Sequence, residues 1–200
     1  MIQGFIKIWE PETGNILIEK QNAIHFENIS IAMANALSYR TTSGNPYGFI
    51  KEMVFGNGAT TIDSTGVITY QTPNTLSQNA GLYNQTYSKL VDETDPLNTD
   101  PLRNKMQVMH IPGKKYSDIV ITSTLDYGEP QDQAAFDNAT STSAYVFDEI
   151  GLKSYDDPTG TNSRLLTHVV FHPVQKSLNR IIQIDYTIRI QSLTTFTETA

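Results

Sequence analysis

The residue types in this 200-residue sequence bring several chemistries within reach, and spacing tests each of them. The stretch VFGNGATTIDSTGVITY (residues 54–70) carries glycine and hydroxyl residues of the kind found in phosphate-cradling loops. A P-loop needs a lysine directly after its closing glycine to meet the phosphate charge. Here Ala59 follows Gly58, and no lysine stands between Lys51 and Lys89. A dinucleotide loop needs a helix after its glycines, whereas Thr, Ile and Val follow here. The segment DSTG (63–66) is one residue longer than the Asp-Thr/Ser-Gly of aspartic proteases and has no second copy. The simplest expectation is that Gly56, Asn57 and Gly58 supply positive φ in a turn at a strand end.

Metal and acid–base chemistry fare no better. His168 and His172 in THVVFHP could share a zinc at i, i+4 on a helix, but Val169, Val170 and Phe171 between them favour a strand. Four strand steps put such side chains about 13 Å apart, and Val169 holds the position of the metalloprotease glutamate. Both histidines are therefore expected to be structural. DETDPLNTD has the acids of a calcium loop without the central glycine or closing glutamate of an EF-hand. Asp148 and Glu149, adjacent on a predicted strand, should point to opposite faces and make a poor acid–base pair. Asp126 and Glu129 could flank a sugar, but acids near turns are common. No Gly-x-Ser-x-Gly elbow is present, and with no cysteine there is no thiol nucleophile, disulfide or Cys-ligated zinc. Trp9, Tyr83 and Tyr87 could serve as glycan platforms, although aromatics in strands more often pack. No cofactor, no metal and no catalytic residue is expected.

The bulk properties agree with a chain that works without chemistry. A net charge of −7 argues against broad binding to a phosphate backbone. Only 18% of residues are charged, and a surface of hydroxyls and amides suits packing against other proteins. No signal-peptide pattern opens the chain, and no apolar run is long enough for a membrane span.

The elements that would position these residues are mostly strands. GFIKIWE, the turn PETGN and ILIEKQ predict a hairpin over residues 2–21. In HFENISIAMANALSYR the period changes to that of a helix over about 28–38, with Asn28 as its cap. FIKEMVF, LYNQTYSKLVD, KMQVMHI, YSDIVITSTLD, YVFDEIGLKSY and RLLTHVVFHPV follow as strands, the last ending at Pro173. The last strand is the plainest: Ile182, Ile184, Tyr186, Ile188 and Ile190 alternate with Gln183, Asp185, Thr187, Arg189 and Gln191. Residues 56–80 and 128–144 read as long polar loops that dock on neighbours, because Val67, Ile68, Tyr70 and Leu76 offer too little apolar surface to order the first of them alone. The pattern predicts one domain over residues 1–200, mainly β: an antiparallel sandwich or barrel-like fold with one short helix.

The blocks GFIKIWEPETGNILIEKQNAIHFENISIAMANAL, FGNGATTIDSTGVITYQTPNT, LYNQTYSKLVD, LDYGEP, FDEIGLKS and LLTHVVFHPVQKSLNRIIQIDYTIRIQSL resemble, in this order, a group of virion structural proteins of tailed bacteriophages. The opening hairpin, KQNAIH and the helix with IAMANAL are also similar to several phage accessory proteins. The resemblance implies a non-enzymatic virion component, assembled in the bacterial host cytoplasm. It would sit at the neck, tail or head–tail junction and partner with copies of itself and other virion structural proteins, without nucleic acid or membrane. A capsid decoration protein and a host-glycan-binding module are the alternatives, with an enzyme such as a glycan depolymerase a third, against which the missing catalytic constellation and the small size count. The interface expected from these patterns comprises Gly56, Asn57, Gly58, Tyr70, Gln183, Asp185, Thr187 and Arg189, with main-chain pairing of an edge strand as one way to lock a ring and residues 183–191 as its candidate, a solvated sheet face being the alternative there.

Overall fold

The computed structural model describes residues 1–38, 41–42, 45–46, 48–130, 144–155 and 163–191. Along the chain run β1 (Ile2–Trp9), β2 (Ile16–Gln21), β3 (Ala23–Ile24), α1 (Phe26–Leu37), β4 (Thr41–Thr42), β5 (Asn45–Pro46), β6 (Ile50–Gly56) and β7 (Thr60–Ile62). There follow β8 (Ile68–Tyr70), β9 (Gln85–Leu90), β10 (Lys105–Met109), β11 (Tyr116–Leu125), β12 (Ala144–Tyr155), β13 (Ser163–Ser177) and β14 (Ile182–Gln191). One five-stranded sheet, sheet A, has the order β10-β11-β14-β1-β2; a second, sheet B, has the order β3-β13-β12-β6-β9. All pairings are antiparallel, and β4–β5 and β7–β8 form two-stranded pairs. Among the described residues the fold is mainly β, with one short helix, two stacked five-stranded sheets and no closed barrel.

Alternation builds the interior. Ile182, Ile184, Tyr186 and Ile188 of β14 are buried between the sheets, in register with Ile6 and Ile8 of β1 and Ile121 and Leu125 of β11. Sheet B answers with Met53, Phe55, Tyr145, Phe147, Ile150 and Val169. Phe147 sits at the centre, edge-on to Phe55 at 5.6 Å and to Phe171 at 5.8 Å and stacked on Tyr145 at 5.5 Å. A polar chain crosses this core: the Tyr186 hydroxyl donates to Thr167 Oγ1 at 2.6 Å and accepts from Asn22 Nδ2. Helix α1 places Ile29 and Ala32 in the same core.

Two local expectations need correcting. The helix starts at Phe26, and its cap is His25, whose Nδ1 accepts the Asn28 N–H at 3.3 Å. Asn28 is inside and buried, with Nδ2 donating to the Leu165 carbonyl at 2.7 Å. Strand β13 does not end at Pro173 but continues to Ser177. Pairing with β12 jumps from Glu149↔Val170 to Phe147↔Val174, so Pro173 falls in a bulge where no ladder N–H is required of it.

Candidate functional site

The glycine stretch singled out in the sequence lies on two buried carboxylates. On the outer face of sheet B, Glu149 faces Gly56 of β6 on one side and Val170 of β13 on the other. The register slips here, with Asp148 alone on β12 opposite residues 171–173 of β13, and the alternation of β12 breaks at Asp148. Both acids consequently reach the same loop, where simple alternation would send them to opposite faces. Glu149 Oε1 accepts from Gly58 N at 3.2 Å and Asn84 N at 2.9 Å, and Oε2 from Tyr83 N at 2.9 Å. Asp148 accepts from Ala59 N at 3.1 Å, Thr60 N at 2.9 Å and the Thr60 hydroxyl.

His168 completes the cluster. Its Nδ1 accepts the Asn74 N–H at 2.8 Å, so Nε2 carries the hydrogen that bonds Glu149 Oε2 at 2.9 Å. Glu149 and His168 are both 0% exposed. The neighbours Asp148 and Glu149 shift in opposite directions. Burial pushes Asp148 above the ordinary aspartate value, against the bonds from Thr60 and Ala59. Burial pushes Glu149 the same way, but the bonds from His168, Asn84 and Tyr83 outweigh it and hold the carboxyl below the ordinary glutamate value.

This arrangement corrects the role expected of the glycines. Neither Gly56 nor Gly58 has positive φ. A Cβ on Gly56 would stand 2.4 Å from Glu149 Oε1 and 2.6 Å from the Asn84 carbonyl oxygen, and one on Gly58 would stand 2.8 Å from Asn84. They are glycine because the backbone must approach the carboxylates closely. Gly56 is buried, and Asn57 bonds Asn84 through their side-chain amides at 2.6 Å. DSTG is an Asx turn: Asp63 Oδ1 accepts from Thr65 N at 2.8 Å and Val67 N at 3.0 Å, with Gly66 at φ +86°.

Further staples hold the rest of the 56–80 loop. His25 Nε2 bonds the Ser77 carbonyl at 2.8 Å, Gln78 Nε2 donates to Glu27 at 2.7 Å, and the Tyr83 hydroxyl donates to the Thr72 carbonyl at 2.6 Å. The apolar count that predicted a loop unable to order alone omitted these bonds from the body. The loop's own apolar residues instead face out: Leu76 is 81% exposed, and Ile62, Val67 and Tyr70 are also exposed. Tyr70 borders a shallow groove with Leu17, Ile18, Phe171 and His172.

The outward residues of β14 form a second surface. Strand β14 lies between β11 and β1 with both main-chain sides paired, so it is no edge and offers no ladder to a neighbour. Its side chains bond within the sheet. Asp185 accepts Trp9 Nε1 and Gln183 Nε2, each at 2.8 Å, and Lys7 lies over the Trp9 ring at 4.9 Å. Arg189 meets Asp118 through two bonds of 2.8 Å and stacks on Tyr116 at 4.1 Å. Thr187 stands between Phe5 and Val120. The eight expected interface residues therefore divide among three places: Gly56, Asn57 and Gly58 on the clamp, Tyr70 on the loop rim, and four on the outer face of sheet A.

The acids Asp126 and Glu129 are also engaged. Asp126 pairs with Arg103, and Glu129 pairs with Lys89 and accepts Asp126 N at 2.9 Å, so both acids are held in one turn by these bonds, on the rim of a groove that Thr99, Asp100 and Leu102 also line. Beneath them Lys176 is fully buried, donating to the carbonyls of Asp126, Glu129 and Ser177 at 2.8–2.9 Å. Burial lowers its pKa to about 8. Trp9 belongs to sheet A and Tyr87 to sheet B, where it packs on Phe55, so the three candidate glycan platforms do not converge. Most of the 128–144 loop, residues 131–143, lies outside the described residues. The Asp148–Glu149–His168 clamp was missed in the sequence, although two acids inside the apolar run YVFDEIGL mark it. No family model matches the chain, and no curated protein or solved structure is significantly similar to it.

Proposed function

We propose that this chain is a non-enzymatic structural component of a tailed-phage virion, acting by assembly with copies of itself and with other virion structural proteins at the neck, tail or head–tail junction. One observation carries the assembly role. The long loop on sheet B is fixed by buried polar groups of the body, while its apolar residues, Leu76 foremost, point to solvent. Rigid apolar side chains held outward are suited to a partner surface, because little ordering entropy remains to be lost on docking. The virion setting rests on the sequence blocks quoted above.

Trp9 gives the glycan-binding alternative little support, since its indole N–H and its ring are both already engaged. The test is incorporation into particles. A tagged chain should co-purify with intact particles and map by crosslinking to one substructure, and Leu76→Ser with Val67→Ser should reduce its occupancy without unfolding it. A chain absent from purified particles overturns the proposal. Labelling spread over the whole capsid surface would reassign it to decoration.

A further inference from the structure

The β10–β11 hairpin combines three features in one place. First, β10 is an edge of sheet A. The Met106 N–H on the open side is capped by the Glu93 carboxylate at 3.0 Å, and Val108, two residues on, presents its main chain in the same direction. Second, the inner face of sheet A runs past its cover at β10. Ile2, Ile190 and Ile119 are half-buried against the rim of the core, and Val108, which continues their rows, is 76% exposed, with Met109 and Ile111 exposed beside it.

Third, charge is segregated along the chain here. Residues 91–102 hold Asp92, Glu93, Asp95 and Asp100 with no Lys or Arg, a charge of −4. Residues 103–117 hold Arg103, Lys105, Lys114 and Lys115 with no Asp or Glu, a charge of +4. The acidic segment also exposes Leu97 and Leu102. The two segments lie side by side, joined by the Glu93–Met106 and Asp100–Arg103 bonds.

We propose that this hairpin is a self-association surface whose occupant is a second copy of the chain. In a two-fold contact, the basic hairpin of each copy, with Val108, Met109 and Ile111, lies against the acidic segment of the other, with Leu97 and Leu102. Arg103 is already paired with Asp100 and Asp126 within the chain, so the contact falls to the other charges, and because a two-fold axis uses one patch twice, a basic segment beside an acidic one is complementary to itself. The inference rests on the assembly role proposed above and adds to it a surface and a partner.

Sedimentation of the full chain over about 1 µM to 1 mM tests it, at ionic strengths of about 50 mM and about 500 mM. The expected result is a dimer that weakens with salt. Lys105→Glu with Lys114→Glu brings the hairpin from +4 to 0 and should abolish it. Mixing that variant with Glu93→Lys should restore association, which a misfolded variant cannot do. Val108→Ser with Ile111→Ser, at exposed positions, should weaken the dimer about tenfold or more. A wild-type chain that stays monomeric at low salt overturns the inference, as does a dimer indifferent to these substitutions. So does self-association that emerges only when residues 192–200 are removed, which would assign the surface to the chain's own C-terminal residues. A monomer that still enters particles would fail this inference alone; one that also stays out of particles would fail both.

Discussion

Replacing Glu149 by glutamine puts the clamp to a direct test. The carboxylate is buried and accepts four N–H groups, two on each oxygen: Gly58 and Asn84 on one, Tyr83 and His168 on the other. Glutamine keeps the size but turns one oxygen into a donor. Either amide orientation then sets an NH₂ against two N–H groups. His168 cannot relieve this by moving its hydrogen to Nδ1, because the Asn74 N–H already points there. Two buried donors left unmet cost about 1–3 kcal/mol each, so Glu149→Gln should lose about 2–6 kcal/mol. Against a total stability of about 5–15 kcal/mol, a loss in the lower part of the expected range leaves the variant folded. The loss should be local: hydrogen exchange at Gly58, Tyr83, Asn84 and Asn74 should accelerate in the isolated chain, while β14 and β1 stay protected. The acid limb should change as well. Glu149 is held below its ordinary value, so its contribution is present at neutral pH and lost as pH falls through the folded value; the variant should lack that loss. Asp148, raised by burial, has the opposite sign and remains in the variant. Urea unfolding and exchange measured together decide the matter. A variant within about 0.5 kcal/mol of the parent, with unchanged exchange at those four amides, would refute the clamp.

Gly56→Ala should destabilise by about 1–3 kcal/mol, since the new methyl meets Glu149 and the Asn84 carbonyl, and its urea midpoint should fall. Lys176 titrates at about 8 when folded against 10.5 in the free side chain. The unfolded chain therefore holds the extra proton between these values, and stability should rise with pH across that window. Lys176→Met should abolish that rise while costing about 1–3 kcal/mol for the carbonyls it leaves bare, as pH-dependent urea titrations would show. A double-mutant cycle on Arg189 and Asp118 should give a small coupling that shrinks with salt, and neither single variant should alter association. Loss of association in Arg189→Ala would return the face of β14 to the interface.

How much was legible follows from what periodicity encodes. Alternation in β14 and the change of period at residue 26 carry the sheet and the helix, because burial acts on one face at a time. The sequence did not show Asp148 beside Glu149 on one loop, because the register between β12 and β13 slips between Phe147 and Glu149 and resets the faces beyond it. Pro173 misled for the same reason. Gly56 and Gly58 look like turn glycines in one dimension, since nothing local distinguishes freedom of φ from close approach to Glu149, a side chain distant in the sequence. Asn28 yielded the cap to His25 because a long-range carbonyl, that of Leu165, claimed its amide.

A two-sheet domain must dispose of two outer faces and four edges, and this chain treats each differently. The outer face of sheet B is covered by a loop that polar groups hold down. The outer face of sheet A stays open and is laced by its own pairs, Trp9–Asp185 and Arg189–Asp118. Among the edges, β3 is two residues long, β2 carries Glu19 and Lys20, and β9 ties Lys89 to Glu129. Short or charged edges resist unwanted pairing. At β10 the Glu93 cap protects the Met106 N–H, and the protection stops before Val108, where the apolar shelf begins and the charge is segregated. A chain that blunts three edges and caps the fourth only in part has left its opening where apolar surface, free main chain and self-complementary charge coincide. Scattered loss of protection would place those features apart, and their coincidence is what a specific contact between copies requires.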